Sequence, residues 1–411
     1  MCGVRARSFA RFALPAVGGV TLLLGAPLAS AQAWIFDPRV ELDGIYNDNY
    51  RLTPDKGSEI EVTGGAVDAL VTARKETPSS LFEATPHIRS SYFPDATSED
   101  STDYYLDLNG LHRTQRTRSR ILAQFAAESV VSSELPAADF PGVDLGQVTG
   151  GDAGRVSVRN RRQLYHVEPS IEFDWTERRH LTADVHYIKA AYDNTEFEQV
   201  GYTDVGGGAG IGWDLSRRST LSVRVLGSQF SPDDDSPDTT TEGLVAEWRT
   251  APSAVTSFYV RLGANHSERD ASGSGSDIST NSPNGGVGVA WTFQVTRIVI
   301  DALRSTSPSS QGAVVDRDEL RFRLERDFSP RWTAGIALRG IRTDGVGSST
   351  DEVRERKYYT GRASFEWRMT RQVSLEGGYE YKWQEYQGDP TSAQSNGATL
   401  SVVYQPRRLM K

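Results

Sequence analysis

Apolar side chains recur at every second position through most of this chain, in paired runs joined by short polar turns. Val167, Pro169, Ile171, Phe173 and Trp175 alternate with Glu168, Ser170, Glu172 and Asp174. After Thr176 to His180 the apolar series resumes at Leu181, Ala183, Val185 and Tyr187. A period of two sends successive side chains to opposite faces of a strand, so each pair of runs is a hairpin with one apolar and one charged face. A chain written this way almost throughout must cover one face of a large sheet with a core or with lipid.

The unit returns at intervals of about 35 to 45 residues, the self-similarity of an array. Val205 to Trp213 turns at Ser216–Ser219 into Leu221 to Val225, and Leu244 to Trp248 turns at Thr250–Ser253 into Phe258 to Leu262. Val287 to Trp291, Leu320 to Leu324 and Phe365 to Trp367 open three further copies. Trp175, Trp213, Trp248, Trp291 and Trp367 each close a strand just before its short turn. Tryptophan is enriched where bilayer meets water, so these five read as one aromatic girdle. Trp332 starts a strand beside the same rim, and Trp383 lies toward the other end. Between the hairpins lie long segments rich in Asp, Ser, Gly and Thr, among them residues 231–242, 268–283, 343–355 and 387–396. Short turns on one side and long loops on the other are the asymmetry of an outer-membrane barrel, with the short turns periplasmic. The expected fold is an all-β, transmembrane, antiparallel up-and-down β-barrel of about 18 strands, with 16 as the alternative count. A secreted sandwich is the competing fold. Its turns would not be sorted by length, and its apolar faces would have to be buried in pairs.

The chain opens with Arg5, Arg7 and Arg11, an apolar run from Phe12 to Leu28 and small residues at Ala29, Ser30 and Ala31, the layout of a secretory signal peptide over residues 1–31. The barrel is expected over 32–404, with 405–411 as a short periplasmic tail. Cys2 is the single cysteine and precedes the apolar run. The exported chain is therefore expected to hold no disulfide, iron–sulfur cluster or thiolate metal site. Without the leader arginines the formal charge lies three units below the −9 of the whole chain, which argues against nucleic acid as a partner. A mean hydropathy of −0.47 does not exclude a barrel, because alternation cancels in the average.

The charged face supplies the expected pore lining: Arg224, Arg261, Arg321, Arg323, Arg339, Arg362 and Arg368, with Glu172, Glu247, Glu376 and Glu380. A barrel of this size can enclose an aqueous channel. The arginines could bias passage toward small anionic solutes, or pair with neighbouring carboxylates and brace the wall. Residues 132–160 are long enough to fold inward as a plug or eyelet, or to stand outside as a loop. His266-Ser267 sits at a strand top, and Asp233-Asp234-Asp235 with Asp238 offers the oxygen donors calcium takes, with a solvated acidic loop as the alternative. No catalytic, cofactor or metal site is expected. Expected partners are outer-membrane lipid and the insertion machinery, which reads a terminal aromatic residue such as Tyr404.

Val40-Glu41-Leu42-Asp43-Gly44-Ile45-Tyr46-Asn47-Asp48-Asn49 resembles the first strand of a family of outer-membrane β-barrel porins, whose members often open with a Tyr-x-Asp-Asn stretch. The resemblance implies a non-enzymatic barrel in the bacterial outer membrane. Because many such proteins accompany capsule or exopolysaccharide gene clusters, it also implies a role near polysaccharide export. Two functions stay open: a porin-like passive channel, or a structural protein that docks surface polysaccharide or an export partner without conducting.

Overall fold

The structure, a computed structural model, describes residues 34–135, 137–138, 159–194, 199–234, 236–269, 278–346, 355–388, 391–406 and 409–410. The leader expected over 1–31 lies outside them. In chain order the strands are β1 (Ile35–Asn47), β2 (Val62–Glu76), β3 (Ser80–Tyr92), β4 (Ser101–Arg113), β5 (Thr117–Ser129) and β6 (Arg161–Thr176). They continue as β7 (Arg179–Tyr192), β8 (Tyr202–Ser216), β9 (Ser219–Pro232), β10 (Thr239–Thr250), β11 (Thr256–Arg269) and β12 (Ile278–Thr292). The last are β13 (Thr296–Ser309), β14 (Ala313–Ser329), β15 (Trp332–Gly345), β16 (Arg356–Arg368), β17 (Val373–Tyr386), β18 (Ala393–Tyr404) and the two-residue β19 (Leu409–Met410).

Each of the first eighteen strands pairs antiparallel with its sequence neighbours, and β1 pairs with both β2 and β18, so the sheet closes on itself. Leu42 faces Val67 on one side and Val402 on the other. Closure leaves no unpaired edge, which a strand structure needs in hydrocarbon. The expected count of 18 is the one found. The segment after Tyr404 is tied back by β19, which pairs Leu409 and Met410 with Phe36 and Ile35.

The apolar face points outward. Leu262 is 70% exposed, and Val225, Leu244, Leu320, Leu338 and Leu400 stand beside it in one belt around the wall. Such a belt would drive aggregation in water and is stabilised only by lipid. A closed barrel with this exterior is an outer-membrane protein. No described helix is long and apolar enough to cross a membrane, which says nothing about a barrel.

Both edges of the belt are aromatic. Trp175, Trp213, Trp248, Trp291 and Trp367 lie at the short-turn ends of β6, β8, β10, β12 and β16, in one boundary ring. Trp332 joins it: it faces Trp367 in register, and the rings stack 5.4 Å apart at 6°. The opposite edge carries outward tyrosines that the sequence reading missed, among them Tyr46, Tyr92, Tyr104, Tyr165, Tyr187 and Tyr359. Trp383 belongs to this second ring, 5.3 Å from Tyr359.

Candidate functional site

Antiparallel register across strands and the two-residue pleat along each strand both bring lumen charges together, and most of the expected pore-lining residues meet a partner there. Arg261 holds Glu247 at 2.6 Å, and Arg249 grips the same carboxylate. Glu172 takes Arg118 at 2.9 Å, Arg323 takes Glu325 at 2.8 Å and Arg368 takes Glu366 at 2.9 Å. Glu376 lies 3.5 Å from Arg39, and Glu380 3.1 Å from Lys382. Arg339 reaches Glu319 at 2.9 Å, while Arg321 pairs with Asp301, which also accepts the Tyr259 hydroxyl at 2.5 Å. Arg362 differs. Among the described residues no carboxylate lies within ion-pair distance of it. It borders a recess with Arg323, Ser364 and Glu376 above Gly335 and Ala337.

Arg224 pairs with Asp184 although β8 lies between their strands. The lumen face of β8 makes this possible, because Gly208 and Gly210 leave a bare track on which the guanidinium can lie, flanked by the His186 and His180 rings over Gly206 and Gly212. A Cβ at Gly210 would stand 2.3 Å from Arg224 Cγ. Gly210→Val should therefore displace Arg224 and cost about 1–3 kcal/mol, the usual range for an overpacked site. Urea unfolding of the refolded barrel, followed by tryptophan fluorescence, measures it.

The outer half of the lumen is crossed by protein. After β5 the chain forms a short helix, α1 (Val130–Glu134), whose first turn is capped by the Ser129 side chain accepting from Ser132 N. The segment then reaches the wall far around the ring. Arg356 of β16 donates to Glu134 O at 3.1 Å, Arg339 of β15 to Ala137 O at 3.2 Å, and Ala138 N to Glu380 of β17 at 3.3 Å. Tyr192 of β7 donates to the Glu134 carboxylate at 3.3 Å. Of the two forms open for residues 132–160, the described part takes the inward one.

Two further loops close in. Gln384 donates to Leu52 O at 2.6 Å, Arg51 holds Glu99 at 2.6 Å, and burial pushes the Tyr50 hydroxyl up to about 12, so it stays neutral. The tip between β13 and β14 bends across the mouth, where Val200 N donates to Ser310 O at 2.7 Å. Gly312 makes this turn at φ +74°, a conformation that suits glycine. Leu52, Val130, Leu135, Tyr192, Tyr202, Phe230, Val314 and Tyr358 pack into one buried apolar cluster between these loops and the wall.

Solved structures similar to this chain include outer-membrane proteins and a porin of Pseudomonas. With OccK2 (OpdF) of Pseudomonas aeruginosa, solved in complex with glucuronate, it shares 11% identity at a TM-score of 0.48, over 90% of this chain and 98% of that one. A BenF-like porin from Pseudomonas fluorescens Pf-5 gives 10% and 0.48, over 91% and 99%, and OccK3 (OpdO) of P. aeruginosa 12% and 0.46, over 91% and 96%. No protein-family model and no curated protein matches the chain.

The remaining sequence candidates separate in space. His266 points outward to Asn281 at 2.8 Å and Glu268 at 3.2 Å, whereas Ser267 points inward to Thr241 at 3.0 Å, as adjacent strand residues must. The two cannot form a dyad. Asp238 accepts from Ser231 at 3.0 Å and Gln229 at 3.2 Å, and Asp235 lies outside the described residues.

Proposed function

We propose that the barrel is a passive channel for small hydrophilic solutes, with a weak preference for anions. The observation that carries this is a charged lumen face running the length of the wall, combined with an inward segment that narrows the outer half. Arg362 beside its recess supports the anion preference, and Arg120, held only by the Asn109 amide, adds to it, since most other wall arginines are neutralised by neighbours. The crossing segment weighs against an open bore for a polymer. It therefore favours small solutes over the exopolysaccharide export that the family resemblance implies. The neighbour solved with glucuronate is in keeping with a small polar solute.

Planar-bilayer recording of the refolded protein tests the proposal. Stepwise insertions are expected, with a reversal potential in a KCl gradient displaced toward that of chloride, and Arg362→Gln should move it toward zero. A protein that inserts without current at any voltage would overturn the channel and leave the second function, a non-conducting structural or docking barrel. The apolar packing at the outer mouth is the observation on that side.

A further inference from the structure

Arginines at the short-turn rim fall into two sets. Most of those facing the lumen are neutralised: Arg118 by Glu172, Arg249 by Glu247, Arg297 by Glu325 and Arg368 by Glu366, while Arg113, in register with Arg118, has no carboxylate within ion-pair distance among the described residues. Those at the turn tips and on the outer face are not. Arg116, Arg178, Arg179, Arg218, Arg331 and Arg371 are exposed, and among the described residues none has a carboxylate within ion-pair distance. Glu177 is the acid interspersed with them.

Four of the six occupy equivalent places. The backbone carbonyl of each accepts from the next hairpin: Arg116 O from Asp174 N at 2.7 Å, Arg178 O from Asp214 N, Arg218 O from Ala251 N and Arg331 O from Arg368 N, each at 2.8 Å. One repeated backbone link thus sets four arginines at equivalent turn positions, just below the tryptophan girdle. The outward face at this height adds Arg326, 5.6 Å from the Phe328 ring, and Lys75, 5.8 Å from the Trp34 ring. These are cations spread along lipid-side aromatics, the placement that long basic side chains take at a headgroup boundary.

We propose that this collar binds the anionic phosphate headgroups of the inner leaflet. Two observations choose lipid over a soluble partner. The unpaired cations are spread over the turns from β4–β5 to β8–β9 and at β14–β15 and β16–β17, with none at β10–β11 or β12–β13, so their partner has to follow most of the rim. The lumen arginines at this height are mostly paired, so an anionic solute or polymer meets a weaker field at the pore mouth than the outer collar offers. Each exposed guanidinium gains a charge-assisted contact with a phosphate, which the bidentate geometry of arginine suits.

Tryptophan quenching tests it, because the girdle lies beside the collar. The refolded barrel is reconstituted into vesicles of phosphatidylcholine containing brominated phosphatidylglycerol or brominated phosphatidylcholine. At low salt the anionic lipid should be preferred by about fivefold, the effect of roughly one basic side chain near an anionic surface. The ratio should fall toward one in high salt. The quadruple variant Arg116→Gln, Arg178→Gln, Arg218→Gln, Arg331→Gln should lower the ratio, and the matching lysine variant should retain it. Removing the same charge from the lumen side, by glutamine at Arg118, Arg249, Arg297 and Arg368, should leave it. Equal quenching by the two lipids in the wild type, or a preference that survives high salt, would overturn the proposal, even if the glutamine variant does not refold.

Discussion

Arg321→Met is expected to lower the stability of the refolded barrel by about 3–5 kcal/mol, the cost of removing one member of a buried ion pair. Arg321 and Asp301 face each other in register across β13 and β14, and each is 1% exposed. The substitution leaves Asp301 desolvated with the Tyr259 hydroxyl against it. Register also sets Arg321 opposite Arg339, two like charges that Asp301 and Glu319 hold apart. The double variant Asp301→Leu, Arg321→Met removes both charges together and should be less destabilised than the single one. Urea titrations in phospholipid vesicles provide the comparison. A single variant as stable as the wild type would show that this pair is solvated and belongs to an open water path.

The same pair shows where the sequence stopped being informative. A two-residue period decides which side of the wall Arg321 occupies, because pleating fixes it locally. That is why the hairpins, the eighteen strands and the tryptophan rim could be derived. Whether a lumen charge lines water or sits buried depends on what crosses the bore, and the crossing chain comes from far away in sequence. Glu134 and Arg356, which anchor the crossing segment, are 222 residues apart. No periodicity encodes such a contact. The outer tyrosine ring was legible in principle: Tyr46, Tyr104 and Tyr359 all continue apolar series at strand ends away from the short turns. The β8 glycines signalled a close approach, yet what lies over Gly208 and Gly210, Arg224, becomes apparent only once β7 and β9 are placed on either side.

Removing the inward segment should change permeability more than any single substitution. Val130 N donates to Asn160 O at 3.1 Å, so the two ends of this loop already meet at the top of β5 and β6. A short Gly-Ser linker can therefore replace residues 131–159 without straining the sheet, since a shorter loop closes at little entropic cost. The deletion frees Arg339, Arg356 and Glu380 from their contacts with Glu134, Ala137 and Ala138. It leaves those charges facing a lumen that water can enter, so the desolvation cost of an unpaired buried group does not arise. If this segment is the constriction, single-channel conductance should rise several-fold and larger sugars should pass in liposome-swelling assays. The anion preference should weaken as well, because a wider bore holds Arg362 farther from the passing ion and screens it more strongly. Conductance equal to that of the wild type would place the limiting cross-section elsewhere, at the β13–β14 tip that leans on Val200. Deleting residues 310–312 in the same background would then produce the rise.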